Sequence, residues 1–273
     1  MNICIDLTKH YKLAGGRLVP YTIECPTGNE KEWRRPAVIV VPGGAYEHIS
    51  KREGAPVACQ FLAKGFQTFV LEYLTAKDGV HYPEQLHELA SAVDYVKKHC
   101  DEFHINRDEI FVVGFSAGGH LTANLAVDYY NISIEGKSLD CKPTAVGLGY
   151  PVISADLKHT RSHENLLAGY SDAEKRALLK RLNLDNSVTK KTVPAFIWAT
   201  AEDSTVPASN SLKFASALAE NGVKYELHIY PETDHGSSTC DFEVNYECSA
   251  YRKNAQWLGN CAEFFRLFTV EKY

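Results

Sequence analysis

Glu109-Ile-Phe-Val-Val-Gly-Phe-Ser116-Ala-Gly118 is the stretch on which the fold turns. Its short, unbroken apolar run suits a strand buried on both faces. The run stops at a glycine, and Ser116 then stands at the head of helical text that reaches about Tyr130. A serine in so sharp a strand-to-helix turn is driven toward unfavourable backbone angles, so its neighbours two positions away must lack side chains. Gly114 and Gly118 meet that demand. The turn lifts the hydroxyl clear of the sheet, and the helix N-terminus sets partial positive charge beneath it. A bare G-x-S-x-G arises by composition about once in ten chains of this length. The strand before it and the helix after it make it informative.

Working outward, strand-like and helix-like text alternates. Pro36 to Pro42 is a continuous apolar run closed by Gly43-Gly44, and Gln67 to Tyr73 reads as another strand. Between them Ala55 to Lys64 is a short helix closed by Gly65. Pro83 opens a helix that places Leu86, Leu89, Ala90, Val93 and Val96 on one face. After the serine helix come strands at 144–152 and 193–200, a helix over 212–221, a strand over 224–230 and a closing helix over 251–268. This alternation implies a doubly wound, mostly parallel α/β sheet with helices on both faces. The segment up to about Cys25 suits an antiparallel strand or hairpin at one edge. Residues 155–191 are polar and helix-prone, and are expected to form an insertion over the C-terminal sheet edge, where such sheets carry their ligand crevice. Lid and inert surface excursion are both open readings of it.

A length of 273 residues supports one substantial core, and a single domain over 1–273 is expected. The net charge of −5 and the lack of a basic stripe mixed with aromatics argue against a nucleic-acid partner. No apolar run approaches a membrane span, and the start, Met1 to His10, is too briefly apolar for a secretory signal. The expectation is a cytoplasmic protein with no membrane partner. Eight cysteines lack CxxC spacing, and the tail trio Cys240, Cys248 and Cys261 lacks zinc-finger spacing, so reduced thiols are expected.

A serine nucleophile needs a base, an acid that orients it, and backbone N–H groups to hold an oxyanion. Pro42-Gly-Gly-Ala-Tyr46 supplies a loop free of obstructing side chains, and the hole is assigned to the amides of Gly44, Ala45 and Ala117. Thr233-Asp-His-Gly236 follows the last strand on the same sheet edge as Ser116, which makes His235 the base among eleven histidines. His81, His87 and His99 read as surface residues and His120 as packing. His159 and His163 lack an HExxH pattern, so no metal is expected. The acid should follow the preceding strand: Asp203 is favoured over Glu202 and Asp156, while Asp234 is too near His235 to reach around its ring. With these parts Ser116 attacks an ester carbonyl, an acyl-enzyme forms, and water releases it. Activity should then fade as His235 protonates, and a flat rate profile across about pH 5 to 8 would count against it as base.

Val41-Pro-Gly-Gly-Ala-Tyr46, Gly114-Phe-Ser-Ala-Gly-Gly-His120, Gly149-Tyr-Pro-Val-Ile153, Leu182-Asn-Leu-Asp-Asn-Ser-Val188, Ala201-Glu-Asp-Ser-Thr-Val-Pro207 and Tyr230-Pro-Glu-Thr-Asp-His-Gly236 together resemble the acetyl-xylan-esterase-like, hormone-sensitive-lipase-related branch of the α/β hydrolases. The resemblance runs from about Arg35 to the end. It implies an α/β-hydrolase fold and a cofactor-free esterase acting on small acyl groups, often acetyl, sometimes on sugars. Two positions depart from the pattern: Ala45 stands where the branch has a third glycine and is expected to narrow the site, and Asp234 stands where glycine often precedes the histidine. The short N-terminal segment leaves little room for a large helical cap and implies a small, open site. Rival readings are a peptidase or other acyl-transfer enzyme on the same residues, a catalytically idle binding module, and metal-dependent deacetylation. The oligomeric state is open.

Overall fold

In a computed structural model, residues 4–26, 28–29, 32–245 and 249–270 are described. Met1 to Ile3 of the start and Cys248 of the tail trio lie outside these residues. The chain runs through β1 (Ile5–Asp6), β2 (Arg17–Tyr21), β3 (Arg35–Val41), α1 (Ala55–Ala63), β4 (Gln67–Glu72), α2 (Glu84–Lys98), β5 (Ile105–Phe115) and α3 (Ser116–Asp128). A small hairpin follows, β6 (Ser133–Ile134) and β7 (Lys137–Ser138), and then β8 (Val146–Gly149). Next come α4 (Arg161–Leu166), α5 (Asp172–Leu182), β9 (Ala195–Thr200), α6 (Ser209–Glu220), β10 (Tyr225–Tyr230), α7 (Ser249–Asn254) and α8 (Gln256–Arg266).

The eight strands of the main sheet lie in the order β1-β2-β4-β3-β5-β8-β9-β10. β1 and β2 pair antiparallel at one edge, as the N-terminal text suggested, and every pair from β4–β3 to β9–β10 is parallel. Side chains alternate across the sheet. Ala37, Ile39 and Val41 of β3 face one layer with Ile110 and Val112 of β5 and the α2 and α3 residues Leu89, Val93 and Leu125. Val38, Val40, Phe111, Val113 and Phe115 face the other, against Phe61 of α1 and Trp257 and Phe265 of α8. Burying each of the Val, Ile, Leu and Phe side chains contributes about 1.5–3 kcal/mol, so a one-residue slip of a central strand would exchange two complete core sets.

Where text and structure differ, the cause is local. β5 begins at Ile105, four residues ahead of its apolar run, because Asn106, Arg107 and Asp108 are at a solvent-facing end and carry no apolar signal. β8 is shorter than expected and stops before Pro151. The closing helix divides at Ala255 into α7 and α8. The β6–β7 hairpin has no apolar alternation to mark it, and Glu135-Gly136, with φ of +50° and +75°, is a two-residue turn of the kind that joins such strands.

The topology sets the crevice. From β3 the chain moves outward to β4 through α1, then returns on the other side of β3 to β5 through α2. The C-terminal ends of β3 and β5 are therefore a switch point, where an open sheet leaves a gap for a ligand. Register brings the strand ends level there: Val41 faces Gly114, Phe115 faces Gly149, and Gly149 faces Trp198. Residues 155–191 hold α4, α5 and a 3-10 turn at Leu184–Ser187; they bury Leu166, Leu182 and Leu184 in the α2–α3 layer.

Candidate active site

Ser116 leaves β5 with φ of +52°, the left-handed region that an L-residue enters only under constraint. Its neighbours permit the turn because they have no Cβ. One built on Gly114 would lie 2.3 Å from the Gly118 carbonyl oxygen, and one on Gly118 would lie 2.2 Å from that of Val41. The hydroxyl is thereby lifted to the switch point at the N-terminus of α3.

His235 and Asp203 arrive from the loops after β10 and β9. The Ser116 Oγ lies 2.9 Å from His235 Nε2, and His235 Nδ1 lies 2.7 Å from Asp203 Oδ2. A carboxylate can only accept here, so Nδ1 carries the proton and Nε2 is left to accept from the serine. The Asp203 side chain is fully buried, and its second oxygen accepts the amides of Thr205 and Val206 at 3.0 and 2.7 Å. The other sequence candidates for the acid lie elsewhere. Asp156 accepts from the Asn183 side chain, and Glu202 is exposed. Asp234 turns its Oδ1 toward the Ser204 amide and hydroxyl and the amide of His235, and these backbone bonds hold its carboxyl below the usual carboxylate range. It ties the acid loop to the histidine loop.

Gly44 and Ala45, which the sequence offers for an oxyanion hole, line the same cavity as Ser116 and His235. Gly44, with φ of +121°, has room for no side chain, since a Cβ would fall 1.9 Å from the His48 carbonyl oxygen. The Gly44 carbonyl accepts the amides of Glu47 and His48. The trans peptide then directs the Ala45 N–H the opposite way. Among the described residues the amides of Gly44 and Ala45 have no hydrogen-bond partner. Ala117 is at the second position of α3, where helical amides lack intrahelical partners. Ala45 occupies a left-handed position with φ of +54°, followed by Tyr46 at +56°. That backbone explains why a glycine would suit position 45.

Several residues around the site were given no chemical role by the sequence. Buried Glu53 accepts the Gly43 amide at 2.8 Å and the Tyr150 hydroxyl at 2.7 Å, and that hydroxyl accepts the Ser238 amide at 3.0 Å. The Tyr150 ring packs edge-on against His235, with centroids 4.9 Å apart. Burial first, then the Glu53 charge, pushes the Tyr150 phenol well above its ordinary value, so it stays a donor. His120 is fully buried on α3, four residues after Ser116. Its Nε2 donates to the Leu182 carbonyl at 3.0 Å, so its Nδ1 accepts the Tyr46 hydroxyl at 2.9 Å. The cavity, about 270 Å³, is lined by Ser116, His235, Gly44 and Ala45 together with Glu47, His48, Arg52, His159, Arg161 and Thr205. His159 and Arg161 come from the polar insertion, whose text has no periodic or motif pattern to mark them.

Among the described residues no three His, Cys, Asp or Glu side chains gather in a way that could hold a metal ion. No helix among them is long and apolar enough to cross a membrane.

The BD-FAE family model matches residues 22–218, nearly three quarters of the chain. The chain belongs to the BD-FAE family. The dienelactone hydrolase family model also matches, over residues 181–268, the part that holds Asp203 and His235. A crystal structure of an acetyl ester-xyloside bifunctional hydrolase from Caldicellulosiruptor lactoaceticus is 31% identical and superposes with a TM-score of 0.83, covering 97% of this chain and 96% of that one. Curated relatives include endo-1,4-beta-xylanase B of Butyrivibrio fibrisolvens, 32% identical over 217 residues, and an acetylxylan esterase of Xylanibacter ruminicola, 29% identical over 227 residues. These alignments take in 77% and 81% of this chain but only 34% and 43% of the relatives. The chain thus spans between a third and under half the length of these two relatives. As a BD-FAE member it has the α/β-hydrolase fold, and Ser116, Gly44 and Ala45 fall inside the BD-FAE match while His235 falls outside it.

Proposed function

We propose that this BD-FAE member is a serine carboxylesterase that removes short acyl groups, acetyl above all, from hydroxyl-rich alcohols such as sugars. One observation carries the reading: a continuous hydrogen-bonded relay runs from buried Asp203 through His235 to Ser116 Oγ, on a strained turn at the sheet's switch point. The Ser116 proton passes to His235 Nε2 as Oγ attacks the ester carbonyl, while Asp203 keeps the imidazole in the tautomer that can accept it. The amides of Gly44, Ala45 and Ala117 receive the oxyanion. Collapse returns the proton to the departing alkoxide, which leaves as the alcohol. Water then gives a proton to His235, attacks the acyl-enzyme, and the acid departs as Ser116 recovers its proton.

The small cavity supports a short acyl group, and its rim of His48, Arg52, Arg161 and Thr205 supports a polar alcohol. The acetylxylan esterase name of one relative points the same way. The test is hydrolysis of short-chain aryl esters and acetylated sugars by wild type and Ser116→Ala. Wild type should turn over both, and the variant should lose at least about a thousand-fold in kcat. Retention of activity by Ser116→Ala refutes the reading. A wild-type Ser116 that a fluorophosphonate fails to label would instead support a binding module.

A further inference from the structure

We propose that Asn165, on the insertion, is a positioning residue that holds the oxyanion loop in its working conformation; the proposal rests on the esterase reading above. Two successive non-glycine residues, Ala45 and Tyr46, have φ of +54° and +56°. Such a pair relaxes to the right-handed region unless its surroundings over-determine it. Three braces surround it. Tyr46 is gripped through its hydroxyl by His120 and through its carbonyl by the Ala76 amide, 2.8 Å away. Gly44 is fixed by its turn bonds to Glu47 and His48. The peptide between Ala45 and Tyr46 presents its carbonyl to Asn165 Nδ2 at 2.8 Å, the one hydrogen bond on that carbonyl among the described residues.

Asn165 is well placed to act as a brace because α4 is itself anchored. The Asn165 carbonyl lies 3.3 Å from His81 Nδ1, and the next carbonyl, Leu166, accepts the Tyr82 amide at 3.0 Å. A second tie from the same helix, Arg161 to Glu47, reaches the loop two residues further on. The insertion therefore touches the loop at two points, and Asn165 alone acts on the peptide adjoining the Ala45 amide. Without that bond the torsion that follows Ala45 is released, and the unpartnered amides of the hole lose their aim at the developing oxyanion. A lid over the site would instead act on substrate entry and binding.

Steady-state kinetics of Asn165→Ala and of Asn165→Asp, which keeps the shape but has no N–H, test this beside Ser116→Ala. Both Asn165 variants should lose about ten- to a hundred-fold in kcat, with KM within about twofold of wild type, because the interaction matters in the transition state. Adding Ala45→Gly to Asn165→Ala should recover at least about threefold, since glycine reaches the left-handed region without strain. If Asn165→Ala fails to fold, Asn165→Asp carries the test. The proposal is overturned by kcat within about twofold of wild type in a folded Asn165 variant while Ser116→Ala is inert, or by a loss confined to KM. Activity persisting in Ser116→Ala would bring down the esterase reading and this proposal together.

Discussion

Both oxygens of Asp203 are committed, one to His235 Nδ1 and the other to the amides of Thr205 and Val206. An asparagine of the same shape cannot serve both sides. If its NH2 faces His235, the ring must accept at Nδ1 and carry its proton on Nε2, facing the serine. If its NH2 faces the loop, two donors meet a third. Asp203→Asn should therefore lower kcat by about 10⁴-fold with the fold retained, read by steady-state kinetics beside a circular dichroism check. A loss under about tenfold would show that the tautomer is set by something else. Ser116, Asp203 and His235 were each legible from their place after a strand, because the fold delivers strand ends to one edge. Glu53 was not: an acid inside Lys51-Arg-Glu-Gly54 looks like surface until β3, β8 and the histidine loop close around it.

At the scale of elements, the Glu53–Tyr150–Ser238 chain joins three segments that are distant in sequence: the turn after β3, the end of β8 and the loop after β10. It holds the 43–46 loop and the loop of His235 in fixed relation. Tyr150→Phe would leave a Glu53 oxygen and the Ser238 amide without their buried partner. The expected cost is about 1–3 kcal/mol, measured by urea unfolding, together with a fall in kcat. Stability within about 0.5 kcal/mol of wild type would show that the chain does not link these loops. Helix and strand interiors follow the text closely, because central strands buried on both faces are continuous apolar runs and α2 shows its buried face at helical spacing. Boundaries moved where polar ends, as at Asn106 to Asp108, extend a ladder that the apolar pattern does not mark.

Across the whole molecule, acid should act through two buried imidazoles. Burial pushes His120 down to about 3 and His163 down to about 4, both from an ordinary 6.5. In the unfolded chain these rings take up protons below about pH 6.5, whereas in the folded protein they stay neutral. Their contribution is complete above that pH and is lost as pH falls toward 3–4. At pH 5 each ring should cost about 2 kcal/mol relative to neutral pH. His163→Phe also removes a buried Nδ1 that has no hydrogen-bond partner, and it should abolish roughly half of this slope. Urea midpoints of wild type and His163→Phe at pH 7.5 and 5 check it. Equal slopes for the two proteins would refute the assignment.

The order of strands and helices, the parallel sheet and the serine turn follow from local rules: apolar period, glycine where a Cβ would collide, proline where a helix opens. Those rules act over a few residues, so the sequence alone determined them. Which loops meet does not follow from local rules. Asn165 and Ala45 are 120 positions apart and Glu53 and Tyr150 are 97 apart, and no motif links one member of either pair to the other. Their contacts form where the insertion and the ends of β3, β5, β8, β9 and β10 fold onto one crevice, and only the tertiary structure decided them.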